Sequence, residues 1–362
     1  MVGRGRSPDL NRHRIALIPG DGVGREVLAA GLTVLRRAGE VTGSFELEVT
    51  DLPWSCRYHL EHGRMMPEDG LAILADHEAI YLGAVGFPGV PDHVSLWGLL
   101  LPIRQGFDQY VNVRPIRVLE GIESPLRAGT AATVDMLCIR ENSEGEYAGV
   151  GGRSHAGRPE EVALQTSVYT RHGVERVARY AFDRARERGG GLASATKSNA
   201  LQYTAVLWDE VVEEVARDYP EVPVTRYLVD ALAARFVSHP ASLDVVLASN
   251  LYADILTDLG AAIQGSMGLA ASANLDPSRR YPSMFEPVHG SAPDIAGQGI
   301  ANPMGAIWSG AMMLEHLGEG EAAALAMRAL VTVARDGPRT RDVRGSGSTG
   351  EVAEAIEAAV GE

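Results

Sequence analysis

An α/β fold is predicted by three features of this chain. Strand-like and helix-like segments alternate along it, its composition is that of a globular protein, and its 362 residues suffice for two domains. Hydrophobic residues make up 45% of the sequence and charged residues 22%, so a large core can be buried. No apolar run reaches the ~18 residues of a membrane-spanning helix, so a spanning segment is not expected.

The alternation begins near the N-terminus and extends into the C-terminal half. Short apolar or alternating runs bounded by glycine, proline or polar residues predict strands. These runs lie at residues 14–19, 44–52, 77–86, 134–142, 191–199 and 242–250. Helical spacing predicts helices at the segment carrying Leu28, Leu32 and Leu35, at residues 172–189, after Lys197 as far as Tyr219, and at residues 251–260. Two segments rich in glycine and proline, residues 86–98 and 285–303, are expected to be functional loops.

Charge and cysteine content narrow the class of function. The formal charge of −14 comes from 47 acidic and 33 basic residues, and it disfavours nucleic acid or an anionic membrane as a partner. The only cysteines, Cys56 and Cys138, give neither a disulfide framework nor a thiolate metal site. A reducing, cytoplasmic setting is therefore expected. Residues 1–14 are basic but lack the apolar segment of a secretory signal, and they are expected to form a loose tail.

Residues 20–25, GDGVGR, are similar to the phosphate-binding turn of dinucleotide folds. The G-x-G-x-x-G fingerprint needs a third glycine, and Arg25 stands in its place. No clear acidic residue ends a second strand about 20 residues on, because Glu40 falls where the helix is expected to end. The sequence therefore predicts a tight strand-to-helix turn in which glycine supplies backbone freedom, and no Rossmann phosphate site.

One lysine stands out by composition. Of the 33 basic residues, 32 are arginines and one is Lys197. Arginine keeps its proton under ordinary conditions, whereas a lysine can be tuned to release it. The alternative is that a single surface lysine is present by chance. That this chain uses lysine at one position only favours a role for Lys197 as a general base.

Two carboxylates share one face of a predicted helix. Asp254 and Asp258 are four residues apart, and like charges at this spacing repel each other. A bound divalent cation would reverse the repulsion, and carboxylates are hard ligands suited to Mg²⁺ or Mn²⁺. The alternative is that Asp254 only complements the helix dipole. Asp230, which ends a strand-like run, is a candidate for a third ligand.

Three arginines and a tyrosine are candidates for binding a polyanionic substrate. Arg104 and Arg114 bracket residues 105–113, and guanidinium groups bind carboxylates at two points. Arg140 ends an apolar strand, where clefts open in α/β sheets. Tyr147 lies in a predicted loop, either as a general acid or as a packing residue. Together these residues indicate an enzyme that handles a small polyanionic acid with a divalent metal.

These stretches together resemble the β-decarboxylating dehydrogenases, a family that includes isocitrate, isopropylmalate, homoisocitrate and tartrate/D-malate dehydrogenases. The resemblance runs from about residue 14 to the C-terminus. Its motifs are IPGDGVG, the R-x9-R spacing of Arg104 and Arg114, RENSEGEYAGVGGR, ATKSN, SNLYADILTDLG and FEPVHGSAPDIAGQGIANP. The segments WSCRYHLEHGRMMPED, GAVGFPGVPDHVSLWG and FDQYVNVRP look most like the tartrate/D-malate branch.

The resemblance implies an isopropylmalate/isocitrate dehydrogenase-like fold of two domains with a large mixed sheet, which is not a true Rossmann fold. Residues 1–109 and 266–362 would form the cofactor-binding domain. Residues 110–265 would form the substrate, metal and dimerisation domain. A homodimer with shared active sites is also implied, and a higher oligomer stays open.

The resemblance also assigns roles to matching residues. The substrate carboxylates would be held by Arg104, Arg114 and Arg140. The Mg²⁺ or Mn²⁺ ion would be bound by Asp230, Asp254 and Asp258. Lys197 would act through water as the general base on the C2 hydroxyl, and Tyr147 would protonate the enol after CO₂ leaves. Asp230 and Lys197 would enter each site from the other subunit of the homodimer.

The cofactor site implied by the resemblance lies in the 285–303 loop. The residues that would surround NAD are Glu286, His289, Gly290, Ser291, Ala292, Asp294, Ile295 and Asn302. Asp294 would bind the ribose diol and repel the 2′-phosphate of NADP, and Ile295 offers no cation to receive that phosphate. NAD is therefore favoured, and a need for a monovalent cation stays open.

D-malate or tartrate is the favoured substrate, and Trp97 and Leu100 are implied to contact it. Leu99 stands where the tartrate/D-malate branch often has a small polar residue. An apolar run at residues 99–101 could also receive an alkyl group, which keeps 3-isopropylmalate or another 3-alkylmalate as the alternative. Gly98 offers no hydroxyl to the third carboxylate of isocitrate, which is disfavoured.

Two further expectations concern the same segment and the overall class. Pro102 predicts a kinked or displaced helix. A non-catalytic regulatory subunit of the same fold is a distant alternative, and the presence of the base, the acid and all three metal carboxylates argues against it. A metal-dependent hydrolase would leave the loop around Asp294 without a role.

Overall fold

The computed structural model describes residues 10–361, and its main feature is a ten-stranded sheet. The strands are β1 Asn11–Gly20, β2 Phe45–Asp51, β3 Ala79–Ala84, β4 Val111–Arg117, β5 Asp135–Glu141, β6 Gly145–Ser154, β7 Val162–Val168, β8 Leu192–Thr196, β9 Val224–Leu228, β10 Val245–Ala248, β11 Ala271–Leu275 and β12 Ser283–Pro287. The helices are α1 Gly24–Thr42, α2 Cys56–His62, α3 Gly70–Ala75, α4 Asp92–Ser95, α5 Leu101–Gly106, α6 Ala128–Ala131, α7 Arg171–Arg188, α8 Thr204–Ala216, α9 Val229–Ser238, α10 Asn250–Gln264, α11 Met304–Leu317, α12 Gly320–Asp336 and α13 Thr349–Ala359.

The strand order of the large sheet is β2-β1-β3-β12-β11-β4-β5-β10-β8-β9. Its first five strands come from the two ends of the chain, and its last five come from the middle. Strand β11 pairs antiparallel with both β12 and β4, and β4 pairs antiparallel with β5. The other neighbours are parallel, so the predicted α/β fold with a large mixed sheet is confirmed. The β11–β4 pair joins the two halves, and the domain boundaries at 109/110 and 265/266 stay a prediction.

Helices cover both faces of the sheet, because successive side chains of each strand point to opposite sides. In β3, Tyr81 belongs to the core beneath α1 and α11, and its hydroxyl donates to the carbonyl of Ala306 at 2.6 Å. Ile80 and Leu82 belong to the opposite core, beneath α2, α3 and α5. A third cluster packs α9 and α10 against β5, β8 and β10. Among residues 10–361, no helix combines the length and the apolarity needed to cross a bilayer.

The predicted strands and helices are confirmed, with corrections at four segments. The predicted loop at 285–303 begins inside β12, which extends to Pro287. Strand β1 begins at Asn11, so residues 11–14 of the basic N-terminal segment belong to the sheet, whereas residues 1–9 of the predicted tail lie outside the described residues. The predicted loop at 86–98 contains α4 and the start of a π-helical turn, Leu96–Leu100. Tyr147 was predicted to lie in a loop but lies on β6, which pairs with β7 in a separate two-stranded ribbon.

Candidate active site

Helix α10 presents the predicted metal carboxylates beside the arginine-bearing strands. Its apolar side packs into the core below, and Gly265 ends it in the left-handed conformation. Asp254, in the second turn, accepts hydrogen bonds from three side chains. The donors are the Arg140 Nη1, the Arg114 Nη2 at 3.5 Å and the Tyr147 hydroxyl at 3.1 Å. One acidic, two basic and one phenolic side chain are therefore brought together, as the sequence predicted.

The charges in this cluster shift one another's protonation. Burial alone would raise the pKa of Asp254, but the Arg140 and Arg114 charges outweigh it and hold this pKa below its usual range. Burial, and then the negative charge of Asp254, raise the pKa of Asp258 one turn further on. Burial and the same carboxylate also raise the pKa of Tyr147, which therefore keeps its proton at neutral pH. A cation between the two carboxylates would relieve their repulsion.

The three predicted substrate arginines are buried, so their charges need fixed partners. On β4, Arg114 donates from Nη1 to the Thr257 hydroxyl at 2.6 Å. On β5, Arg140 donates from Nε to the Asn250 amide oxygen at 2.9 Å. On α5, Arg104 donates from Nη2 to Glu286 at 2.7 Å, while its buried Nε has no partner. Among residues 10–361, Glu286 is the only hydrogen-bond partner of this guanidinium, so several of its N–H donors are unpaired.

Lys197 and Asp230 form a second group within the same chain. Lys197 follows β8, Asp230 lies in the first turn of α9, and the two side chains form an ion pair. The hydrogen bond from Lys197 lowers the pKa of Asp230. Among residues 10–361 no three His, Cys, Asp or Glu side chains are grouped closely enough to hold a metal. Within one chain, the structure therefore does not bring Asp230 to Asp254 and Asp258.

Part of the predicted cofactor loop encloses a pocket of about 570 Å³. Five predicted cofactor residues line it, namely His289, Gly290, Ala292, Ile295 and Asn302. The His289 Nδ1 bonds to the carbonyl of Gly290 at 2.9 Å, and the buried Nε2 has no partner. Burial lowers the pKa of His289, so the ring is neutral at pH 7. The pocket thus combines apolar walls with an unsatisfied polar atom.

Three other predicted cofactor residues do not line this pocket. The carboxylate of Glu286 accepts a hydrogen bond from the buried guanidinium of Arg104 and therefore points away from the pocket. Ser291 is buried, and its carbonyl accepts the backbone N–H of Val23 at 2.9 Å. Asp294 is exposed in the loop between Ala292 and Ile295. These three residues therefore lie around the pocket and not in its wall.

The lining residues that sequence reasoning missed include two charged ones, Arg341 and Asp342, which lie in a short helical turn before α13. The Asp342 carboxylate accepts from the Asn302 amide at 3.0 Å. Arg341 places a positive charge at the pocket. The predicted preference for NAD rested on Asp294 and Ile295 and did not take this charge into account. In the sequence, Arg341 and Asp342 are only a charged pair before a glycine-rich segment, and that pattern does not predict a ligand site.

The glycine turn at residues 20–25 supports the cofactor loop. Gly20 and Gly22 have positive φ angles of 69° and 55°. A Cβ on Gly22 would lie 1.9 Å from the Ser291 carbonyl oxygen, so only glycine allows the loop to approach this closely. Asp21 was also missed by sequence reasoning. Its Oδ2 accepts the backbone N–H groups of Cys56 at 2.9 Å and Gly86 at 3.1 Å, which ties three segments together.

The segment before Arg104 contains the predicted irregularity. Leu96–Leu100 forms a π-helical turn directly before α5. Pro102 has no N–H and would clash with a carbonyl in a regular helix, and the wider turn avoids this clash. Leu99 and Leu101 are fully buried, so the expectation that the whole 99–101 run could receive an alkyl group is wrong.

Three neighbours of these leucines, Trp97, Gly98 and Leu100, are placed differently. Leu100 is partly buried and Trp97 is partly exposed. The Trp97 ring lies against Gly149 on β6, where a Cβ would come within 2.7 Å of it. Gly98 faces Met65, which a Cβ would meet at 2.5 Å. Trp97 and Leu100 are thus less buried than Leu99 and Leu101, and their contact with a substrate stays a prediction.

Comparisons with known proteins show the family and the fold of the chain. The family model described as isocitrate/isopropylmalate dehydrogenase matches residues 14–356. A "Probable tartrate dehydrogenase/decarboxylase" of Bacillus subtilis is 51% identical over 96% of this chain and 98% of its own. The "D-malate dehydrogenase [decarboxylating]" of Escherichia coli is 51% identical over 95% and 97%. A crystal structure of isocitrate dehydrogenase from Methylococcus capsulatus superposes with a TM-score of 0.88 at 35% identity, covering 97% of this chain and all of that one.

Proposed function

Because the chain belongs to the isocitrate/isopropylmalate dehydrogenase family, we propose that it catalyses the NAD-dependent, metal-assisted oxidative decarboxylation of D-malate or tartrate. One observation carries the proposal. The carboxylate of Asp254 lies between two buried arginines and the Tyr147 hydroxyl. This cluster combines a ligand for a cation, binding groups for substrate carboxylates and a proton donor at one cleft.

The donor set fits a divalent cation. Asp254 and Asp258 offer carboxylate oxygens from successive turns of one helix. Burial, and then the negative charge of Asp254, raise the pKa of Asp258, and a cation would relieve that repulsion. Asp230 of the other subunit would complete the set. When bound, Mg²⁺ or Mn²⁺ supplies Lewis-acid stabilisation of negative charge on the hydroxyl and keto oxygens of the substrate.

The pocket beside the 285–303 loop fits a nicotinamide dinucleotide. Its volume of about 570 Å³ lies in the range of roughly 300–1,000 Å³ typical of ligand sites. His289 lines this pocket, and its unpartnered Nε2 is a polar atom that an adenosine could contact. The exposed Asp294 is available to the ribose diol, which favours NAD over NADP. When bound, NAD accepts the hydride from C2.

The chain's own side chains perform the remaining tasks. Arg104, Arg114 and Arg140 bind the substrate carboxylates and fix C2 and C3. Lys197, acting through water, takes the proton of the C2 hydroxyl as the hydride leaves. The resulting β-keto acid loses CO₂, and the Tyr147 hydroxyl then donates its proton to C3. Its raised pKa keeps that proton available.

We infer that two copies of the chain share each site. Lys197 and Asp230 form one half-site and the Asp254 cluster forms the other. Large apolar side chains stand exposed nearby in the fold, among them Ile255 on α10, which is 61% exposed, and Leu164 on β7, the partner strand of β6, which is 68% exposed. Burying these side chains against a second copy would remove their apolar area from water and favour association.

Sharing can be tested with two inactive variants. A heterodimer of Lys197→Arg and Asp258→Asn chains would keep one complete site, because Lys197 and Asp258 of that site come from different chains. We expect each homodimer to be inactive and the purified heterodimer to recover about half of the wild-type activity. An inactive heterodimer would show that both residues serve one chain.

The substrate is tested by steady-state kinetics with Mn²⁺ and either NAD or NADP. We expect NADH formation with D-malate or a tartrate isomer, and a lower kcat/KM with 3-isopropylmalate because Leu99 and Leu101 are buried away from the cleft. Lys197→Arg keeps the charge and should abolish turnover while NAD still binds. A folded wild-type protein that reduces neither cofactor with any of the three acids would refute the proposal.

A further inference from the structure

A row of buried asparagines crosses the junction between the two halves of the sheet. Asn274 on β11 lies opposite Asn112 on β4, and Asn112 lies opposite Arg140 on β5. Residues opposite each other on paired strands point to the same side of the sheet. Asn112 and Asn274 are fully buried, and Asn142, just after β5, is 1% exposed. Buried amides at these positions must satisfy their hydrogen bonds within the protein.

These amides form a continuous hydrogen-bonded chain from Arg104 to Arg114. The Glu286 Oε1 accepts from Arg104 at 2.7 Å and from the Asn274 amide nitrogen at 2.8 Å. The Asn274 oxygen accepts from the Asn112 amide nitrogen at 2.9 Å. The Asn112 oxygen in turn accepts from the Arg114 Nε at 2.8 Å. Two arginines on separate parts of the chain are therefore linked by four buried hydrogen bonds.

The strand that carries Arg140 also contacts this hydrogen-bonded chain, at Asn274. The Asn142 amide nitrogen donates to the Asn274 oxygen at 3.0 Å and to the carbonyl of Gln109, also at 3.0 Å. Asn142 lies two residues after Arg140, so this contact fixes the end of the strand that carries Arg140. Asn274 is thus the one side chain at which the supports of all three arginines meet.

The groups at the two ends of this hydrogen-bonded chain fix which atom of each amide donates and which accepts. Arginine only donates and a carboxylate only accepts, so Glu286 obliges Asn274 to turn its nitrogen towards it. The Asn274 oxygen then faces two amide nitrogens, and the Asn112 oxygen is left to receive Arg114. The Ser272 hydroxyl also accepts from the Asn112 nitrogen at 3.0 Å, which supports the same orientation. Reversing either amide would set donor against donor or acceptor against acceptor.

We propose that Asn274 is a positioning residue for the dicarboxylate, setting the relative orientation of Arg104, Arg114 and Arg140 without touching the substrate. The proposal rests on the substrate-binding role proposed for these arginines. Their like charges repel: burial lowers the pKa of Arg140 most, and the charges of Arg114 and Arg104 lower it further. Side chains of this length lose their alignment readily unless their donors are fixed. Two carboxylates at a fixed spacing require guanidinium groups at a fixed spacing.

The isosteric variant Asn274→Asp tests this role through its pH dependence. The new carboxyl group would lie against Glu286, and two such groups share a proton at low pH because both cannot ionise at this distance. In its protonated form, the new carboxyl group would donate to Glu286 as the amide does. Loss of that proton would set two carboxylates against each other and break the contact with Glu286, so Arg104 would no longer be held relative to Arg114 and Arg140. We expect the variant-to-wild-type ratio of KM for D-malate to rise about tenfold or more from pH 6 to pH 9.

Gln109→Glu is the matched control. Gln109 is also fully buried, its amide donates to the carbonyl of Pro282 at 2.8 Å, and its side chain is outside the asparagine chain. It therefore undergoes the same amide-to-acid change with a comparable structural cost. We expect its KM ratio for D-malate to stay within about twofold across this pH range, as should the KM for NAD in both variants.

A pH-independent KM ratio for Asn274→Asp, or an equal rise for Gln109→Glu, would overturn the proposal. If Asn274→Asp does not fold, Asn274→Ser replaces it. The shorter hydroxyl leaves Glu286 and Asn112 unlinked, and KM for D-malate should rise about tenfold while KM for NAD is kept. Unchanged KM values would again refute the role. Wild-type turnover of D-malate or tartrate, measured in parallel, separates this outcome from failure of the proposed function itself.

Discussion

Replacing Gly22 with alanine tests whether the glycine turn supports the cofactor loop. Its φ of 55° is left-handed, and forcing alanine into that region costs about 1 kcal/mol. The new Cβ would also lie 1.9 Å from the Ser291 carbonyl oxygen. An ordinary contact needs about 3.4 Å, so that carbonyl must retreat by about 1.5 Å. The movement breaks its 2.9 Å hydrogen bond from the Val23 N–H, at a cost of about 1–3 kcal/mol for buried groups.

Gly43→Ala provides the matched control. Gly43 has a similar φ of 63°, but nothing lies within 4 Å of a Cβ built on it. Its alanine variant should lose only the backbone contribution, about 1 kcal/mol, whereas Gly22→Ala should lose about 2–4 kcal/mol. The two are compared by urea denaturation and by the KM for NAD.

Because the displaced carbonyl belongs to the cofactor loop, we expect the KM for NAD to rise about tenfold or more in Gly22→Ala and to stay unchanged in Gly43→Ala. The KM for D-malate should change much less in either variant. Equal stability losses in the two variants, together with a wild-type KM for NAD, would refute the reasoning.

Three further predictions concern acidity, catalysis and a helix end. Burial, with a contribution from Arg279, lowers the pKa of His316 to about 4, below the 6.5 of an unfolded chain. As pH falls, the unfolded state therefore binds a proton at His316 before the folded state does. The contribution of neutral His316 to the free energy of unfolding is complete above pH 6.5 and is lost as pH falls towards 4. The loss is about 2 kcal/mol between pH 8 and pH 5, and His316→Gln should flatten that part of a urea-denaturation pH profile. Tyr147→Phe removes the proposed proton donor and should lower kcat about 100-fold or more without changing the KM for NAD; a wild-type kcat would exclude the assignment. Ser348 and Glu351 form a reciprocal capping box at α13, so Ser348→Ala should lower the free energy of unfolding by about 1 kcal/mol, and a loss near zero would count against the box.

The strands were predictable because they are short apolar runs whose ends are marked by glycine, proline or polar residues. The mixed strand order was not a consequence of local pattern, since antiparallel pairing of β11 with both neighbours depends on contacts between distant segments. The resemblance to a known family supplied the mixed sheet, and the superposed isocitrate dehydrogenase confirms the fold.

The site was predictable where a residue type is chemically distinctive. Asp254 and Asp258 share a helix face, and Arg140 ends a strand, so their positions followed from sequence periodicity. The run Leu99–Leu100–Leu101 was harder, because three consecutive apolar residues do not reveal which one faces the cleft in a π-helical turn.

Asn112 and Asn274 were missed entirely. A buried asparagine has no periodic signature, and its role depends on hydrogen bonds between strands that are distant in sequence. Arg341 was missed for a related reason, since one arginine among 32 carries no signal until the fold brings it to a pocket.

The central claim is tested most directly by the product balance with D-malate, NAD and Mn²⁺. Oxidation at C2 followed by decarboxylation predicts NADH, CO₂ and pyruvate in equal amounts, all abolished in Lys197→Arg. NADH formed without CO₂ would contradict the proposed decarboxylation, and the absence of NADH with both D-malate and tartrate would contradict the proposed substrate class.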